Sequence, residues 1–432
     1  MTVVSKKAFP HSRRAGGFTV VELSVSLLVL AVVLLGLLAL FDFSNRISSV
    51  QTNVSDMQQN QRVAQQEVMR LVRMAGRGPI PLGQPPIGMA VAAYNQVPAS
   101  THIGGINTPE IVPGSDVLTV RGIFTAPIYQ VNSSAPNAFA IQTSDGGFSG
   151  HVDVSSTTPT SIPQNLQFLK DAVASALENN AKPAERLLLV SARNPALWTV
   201  VALNATASDV SSDPIRLEFT PLPADDPGYF DMPAGNAIAD LGAVAFVGIL
   251  EEYRFYLRQA FKVAPNGSQD VATVFSRARV FPGTDRPWRG LGDDLGVSDD
   301  SHPSWKSDIA DNIIDLQVAL AFDTPRGGGA FDDDDNNTGD DDRIYESADG
   351  SSDDWLFNDG LAVNPLDWAN KKLYFIRLTT LARSDRRDQG YRSPDLVKLE
   401  DHDLSTTRFN TDATDRMFRY RPLETLIDMR NL

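Results

Sequence analysis

The chain has 432 residues, with 38 Lys and Arg against 53 Asp and Glu for a formal charge of −15, and no cysteine. Its 42% hydrophobic and 21% charged content suits a globular protein with room for one large or two ordinary domains. The missing cysteines exclude disulfides, thiolate metal sites and cysteine nucleophiles, though not export, because a large core can dispense with disulfides.

Charge is uneven from the start of the chain. Residues 1–17 carry Lys6, Lys7, Arg13 and Arg14 and no acid, so the remainder holds 34 basic against 53 acidic residues, a net of −19. So acidic a body does not hold a nucleic-acid backbone unless its basic residues cluster in space. After the basic leader comes an apolar run: Leu23 to Phe41 contains no charge and no proline, and Gly36 is its one weak helix former. At about 1.5 Å per residue, that run nearly crosses a hydrocarbon layer of roughly 30 Å. It does not end in the small-residue pattern of a cleavable secretory signal; it reads Leu40, Phe41, Asp42, Phe43. Basic residues ahead of it predict a cytoplasmic N-terminus and an outward body. The small pair Gly16-Gly17 lies before the run, so cleavage there would keep the apolar helix, and Glu22 sits near its start, where a charge is costly.

The stretch "GFTVVEL", residues 17–23, resembles the processing signal of type IV prepilins and type II secretion pseudopilins. The resemblance implies cutting by prepilin peptidase between Gly17 and Phe18, methylation of the new Phe18 amine, and an assembly role for Glu22 as the fifth mature residue. On that reading the Glu22 carboxylate pairs with a neighbouring subunit's N-terminal amine. Because an unpaired charge buried in a helical bundle is expensive, the pair selects one axial stagger. A plain signal-anchor with a chance glutamate is the competing account of the same residues.

The helical pattern then continues. Ile47, Val50, Val54, Met57, Gln61, Ala64, Val68, Leu71 and Ala75 recur at spacings of three and four, a seam broken only by Gln61. Gly76-Arg77-Gly78-Pro79 terminates it. Either the outer part of this helix packs on its own globular domain and leaves the inner part for a filament, or it forms a coiled-coil stalk. The expected organisation is a leader over 1–17, a pilin-like helix over 18–76 (transmembrane 18–43, amphipathic 44–76), and a β-rich globular domain over 77–432.

A Pro/Gly-rich linking loop of about forty residues is expected next. Strand candidates follow at 116–124, 186–192, 198–203, 215–222, 251–260, 313–322, 372–383 and 417–430. Tyr253, Phe255 and Leu257 alternate with Arg254, Tyr256 and Arg258, which predicts a sheet with one wet face. One internal helix is expected over 164–179, with Leu166, Leu169, Val173 and Leu177 on one stripe, and a short one near 305–312. The expected fold class is α+β: a long N-terminal α-helix, then a large, mainly antiparallel β-rich domain.

Within the pilin family, "GSDVLTVRG" (114–122), "ADNIIDLQVALAFD" (310–323), "LYFIRLTTLARS" (373–384) and the ending "RYRPLETLIDMRNL" (419–432) resemble the PilW minor pilins, relatives of the J-type pseudopilins. Residues 146–231 have no counterpart in that resemblance. It implies a minor pilin that primes or caps a type IV pilus near its tip. The implied partners are prepilin peptidase, other minor and major pilins and the inner-membrane assembly platform, with no nucleic acid. The implied location is a single pass in the inner membrane with a periplasmic body, then the extracellular pilus. A J-type subunit of a type II secretion system, and a membrane-anchored periplasmic binding module that never polymerises, are the alternatives.

Nothing in the pattern supports an enzyme. The five histidines (His11, His102, His151, His302 and His402) are isolated, and neither a Gly-x-Ser-x-Gly elbow nor a phosphate-binding loop occurs. No cofactor is required. The one chemically loaded stretch is residues 323–359, with thirteen acids and two arginines, a net of −11. It reads as either a solvated acidic loop or a calcium site. Asp334, Asn336, Asp340, Asp342 and Glu346 are the oxygen donors of the second reading, although no register gives a clean calcium loop.

Overall fold

In the computed structural model the described residues are 19–76, 90–96, 112–135, 137–144, 147–178, 185–195, 197–222, 237–263, 269–280, 306–323, 355–356, 372–388 and 390–429. The chain divides into two units, Met1–Ser55 and Asp56–Leu432. A single helix, α1, runs Val20–Val72, and the rest is an antiparallel β-rich body, the α+β layout that the sequence predicts.

The part of α1 inside the second unit buries Met57, Gln61, Ala64, Gln65, Val68, Leu71 and Val72. The seam therefore faces the unit's own core, and Gln61 is no defect in it. Gln61 Nε2 donates to the carbonyls of Thr380 (3.2 Å) and Arg421 (2.7 Å). Gln65 Nε2 donates to Leu423 O at 2.9 Å, and its Oε1 accepts from Thr425 Oγ1 at 2.6 Å. Two buried amides thus stitch the helix to strands, and each would be costly to bury without those partners.

Strand β1 (Val91–Tyr94) lies within the stretch expected to be a linking loop, and β2 is Val117–Gly122. They pair with each other, and β2 also pairs with the far half of β9 (Val244–Val263). Between β2 and β9 the chain makes β3 (Tyr129–Gln130), β4 (Phe139–Ser144), β5 (Gly147–Val154), helix α2 (Gln167–Glu178), β6 (Arg186–Ser191), β7 (Trp198–Leu203) and β8 (Ile215–Thr220). These elements share one apolar cluster with the near half of β9, built on Leu169, Val173, Leu187, Leu189, Val201, Leu217 and Phe219. The exit and return points face each other, for Gly122 and Glu251 are register partners. Residues 123–250 are therefore a lobe inserted into the β2–β9 hairpin, and they contain the whole of the stretch left unplaced by family resemblance.

Beyond β9 come β10 (Gln269–Val280), β11 (Lys306–Asp311), β12 (Ile313–Asp323), β13 (Trp355–Leu356), β14 (Lys372–Arg383), β15 (Lys398–Leu399), β16 (His402–Asp403) and β17 (Tyr420–Asp428). Order β13-β12-β14-β17 forms a second sheet. The chain steps between sheets at Asn312, whose φ is +61°, a conformation asparagine tolerates better than most residues. Its N–H bonds to Thr273 O on β10 and its carbonyl accepts from Arg383 on β14. The α1 stripe, β1, β2, the far half of β9, β10 and the second sheet enclose one core that includes Val68, Leu118, Phe255, Phe275, Leu316 and Ile376.

Two expectations are corrected. The short helix near 305–312 is strand β11, paired to β10 through Phe275↔Ala310 and Arg277↔Ser307. So short a segment cannot hold itself helical, and sheet pairing decides its conformation. The wet face of residues 253–258 is not wet, because Arg254, Tyr256 and Arg258 are all buried. Their charges are matched within the face. Arg254 bonds Glu252 through Nε (2.9 Å) and Nη2 (2.7 Å), Arg121 reaches the other Glu252 oxygen at 2.8 Å, and Arg258 pairs with Asp308.

Candidate functional site

Gly17 and Phe18, the expected processing pair, lie outside the described residues. The third assembly residue, Glu22, is described. It closes a reciprocal cap with Thr19: Glu22 Oε2 accepts from the Thr19 N–H (2.9 Å) and hydroxyl (3.0 Å), while Thr19 Oγ1 accepts from the Glu22 N–H (3.2 Å). That is a capping box, which satisfies two otherwise orphaned groups at a helix start. Sequence reasoning takes Thr19 only as part of the processing motif and misses it as the cap of Glu22, although the Thr-x-x-Glu spacing is itself the signal. The carboxylate also lies at the positive end of the helix dipole.

The apolar segment of α1 is exposed along its length, from Val20 to Phe43. The two serines inside it turn inward on the backbone: Ser24 Oγ donates to Val20 O at 2.9 Å, and Ser26 Oγ to Glu22 O at 2.7 Å. No side-chain hydroxyl there is left for water to satisfy, which suits a lipid surrounding. Among the described residues this is the one helix long and apolar enough to cross a membrane. A single anchor with a β-rich body on one side is thus compatible with the layout of a pilin.

The calcium donors of the second sequence reading, Asp334, Asn336, Asp340, Asp342 and Glu346, all lie outside the described residues. The strands flanking the acidic stretch pair directly, Leu320↔Leu356 and Ala321↔Trp355. Among the described residues no three His, Asp or Glu side chains are placed to hold a metal ion. His151 contacts the Asn137 carbonyl at 3.1 Å, and His402 contacts Asp315 at 2.8 Å.

The junction of the inserted lobe is a further polar centre that sequence reasoning missed. Buried Glu251 accepts from the backbone N–H groups of Phe124 (2.9 Å) and Thr125 (2.7 Å) and from the Thr125 hydroxyl (2.7 Å). It fastens the strand that enters the lobe to the strand that leaves it. No protein-family model, curated protein or solved structure matches the chain.

Proposed function

We propose that the protein is a minor type IV pilin of the PilW type, cleaved after Gly17, methylated on Phe18 and incorporated into or priming a pilus near its tip. The observation that carries this reading is the join of a processing-type junction, residues 17–22, to one helix that runs from the apolar segment into the body core. A cleaved signal would discard that helix, and an ordinary anchor has no use for a glutamate at its start.

Before assembly the Thr19 cap lowers the cost of holding the Glu22 carboxylate near the membrane surface. In the filament the carboxylate is free to exchange that local partner for a neighbour's amine and so set the axial register. Prepilin peptidase, other pilins and the inner-membrane platform are the partners, and no enzyme chemistry or obligatory cofactor belongs to this function. The acidic stretch is where a calcium ion would be held, by Asp334, Asn336, Asp340, Asp342 and Glu346. Isothermal titration of the whole protein tests that part: no heat at millimolar calcium removes it.

Mass spectrometry of the mature N-terminus tests the main reading. A methylated Phe18 start is the expected result, and an intact Met1 overturns it. Glu22→Ala separates assembly from simple anchoring, since unchanged piliation, secretion and subunit contacts would leave only the non-polymerising module. The neighbouring genes distinguish a pilus subunit from a J-type pseudopilin.

A further inference from the structure

The segment between β14 and β17 folds back on the second sheet as the small β15–β16 hairpin, Lys398↔Asp403 and Leu399↔His402. Its inner face adds Leu399 and Leu404 to Ile314 and Leu381, a small apolar cluster on that sheet. Polar contacts around this cluster are dense and acidic. His402 Nδ1 bonds Asp315 Oδ2 at 2.8 Å, and Asp315 Oδ1 accepts from the Leu316 N–H and Gln317 Nε2. Asp116 accepts from the N–H groups of Gln96 (2.8 Å) and Val318 (2.7 Å). Asp401 Oδ2 accepts from Asn95 Nδ2 (2.7 Å) and Gln96 Nε2 (3.0 Å). Glu400, beside it, is held by Arg377 and Thr379 of β14.

The imidazole has a prepared seat. Gly114 sits at φ +81°, and a Cβ there would fall 2.7 Å from His402 Nε2. Only glycine allows the ring and the bend to meet.

Among the described residues the cluster is short of donors: Asp401 Oδ1, Asn95 Oδ1 and Gln317 Oε1 are buried acceptors with no hydrogen-bond partner there. Asp116, Asp315 and Asp401 are all buried, and among the described residues no lysine or arginine forms an ion pair with any of them. Three neighbouring buried carboxylates with surplus acceptors call for a proton or a cation. Among the described residues no three His, Asp or Glu side chains converge on a metal position, and a proton needs no such convergence.

We propose that His402 and Asp401 of the hairpin, with Asp315 of β12 and the neighbouring Asp116, form a proton-operated latch that fastens the β15–β16 hairpin to β12 and to residues 95–96, closing as protons bind and opening as they leave. Opening uncovers Ile314, Leu381, Leu399 and Leu404, so the latch governs access to an apolar surface.

The titration of His402, Asp116 and Asp401 runs the same way. Burial opposes a charge on His402, but the hydrogen bond to Asp315 and the charges of Asp315, Asp401 and Asp403 outweigh it and raise its pKa. Burial raises Asp116 well above the ordinary carboxylate value, against the Gln96 and Val318 bonds and with the charges of Asp401 and Asp315. Burial likewise raises Asp401, against the Asn95 and Gln96 bonds and the His402 charge. Raised values mean that the docked state keeps protons the undocked state has lost. Docking is therefore strongest in acid and weakens as pH rises through each folded-state value.

Hydrogen exchange of the full-length protein in detergent micelles tests the latch, followed on peptides spanning residues 397–404 and corrected for the intrinsic rate. The Leu404 N–H, bonded to Val397 O at 3.0 Å within the hairpin, shows whether the hairpin itself stays formed once it has left the sheet. Corrected exchange in this segment should rise about tenfold from pH 5.5 to 8.5 as the docking protons leave, while β12 and β14 stay protected. The triple substitution His402→Gln, Asp116→Asn and Asp401→Asn should flatten that dependence. Protection independent of pH in the unmodified protein overturns the latch, as does a triple variant that keeps the slope. Full protection restored at pH 8.5 by millimolar calcium overturns it too, because the ligand is then a cation.

Discussion

Glu252→Gln puts the buried charges of β9 to the test. Glu252 lies between Arg121 and Arg254, all three buried, with bonds of 2.8 Å from Arg121 Nε and 2.7 Å from Arg254 Nη2. The substitution keeps the volume and removes the anion that bridges two buried guanidiniums. Breaking a buried pair by removing one partner costs about 3–5 kcal/mol, because the remaining charge stays buried. A domain of this size loses about 2 °C of Tm per kcal/mol, so Tm should fall by roughly 6–10 °C. Circular dichroism melts of the full-length protein in detergent measure it. A second arm separates charge imbalance from lost packing: replacing Arg121, Glu252 and Arg254 together with Met, Leu and Met should recover most of the loss. The same site sets an acid limit. Burial would raise the Glu252 pKa, but the charges of Arg121 and Arg254 and the Arg121 bond outweigh it and hold it low. Its stabilisation is therefore present above the ordinary carboxylate value and lost as pH falls through the depressed one. A Glu252→Gln protein within about 1 kcal/mol of the parent, at the typical cost of an ordinary substitution, would refute the assignment of this triad as a buried, mutually dependent unit.

Three further outcomes are expected. Gly150→Ala should destabilise the inserted lobe by about 1–3 kcal/mol, since its Cβ would lie 2.5 Å from Ala140 O and 2.7 Å from the Phe219 ring; a melt unchanged by the methyl group would show that the β4–β5 hairpin gives way freely. Leu71→Ala, which empties a buried position on α1, should cost about 2–5 kcal/mol, and its exchange signature should spread through the strands of the shared core rather than stay on the helix. Excising residues 123–250 and joining Gly122 to Glu251 by a two-residue turn should leave α1, residues 251–263 of β9, β10–β12, β14 and β17 folded, because the cut ends are register partners. Protection lost throughout those strands would show that the lobe is not an insertion in the energetic sense.

How much of this was legible beforehand varies by element. The strands at residues 186–191, 198–203, 215–220, 313–323 and 372–383 and helix α2 are visible as runs with clear turn signals. Strands β4, β5 and β10 are not, because their alternation is thin: in "GFSGHVDV" Phe148, Val152 and Val154 share a face that Gly150 interrupts, and such a segment depends on the neighbours it pairs with. The alternation of residues 253–258 was read correctly as a strand and wrongly as half-solvated. Period two cannot distinguish a charged face in water from a charged face whose partners, Arg121 and Asp308, come from distant strands.

The sequence by itself determined the character of the two units: an unbroken apolar run and a capped, processing-like start are local properties, written within a few residues of one another. It also determined the α+β class, since the change from a helical period to short β-rich runs needs no knowledge of packing. Only the tertiary structure decided which polar residues matter inside the body. Gln61 became a stitch to Arg421, Glu251 a clamp on Phe124 and Thr125, and the isolated His402 a partner for Asp315, 87 residues away. A hydrogen bond takes its meaning from the atom at its other end, and in a sheet protein that atom comes from a strand that no local pattern names.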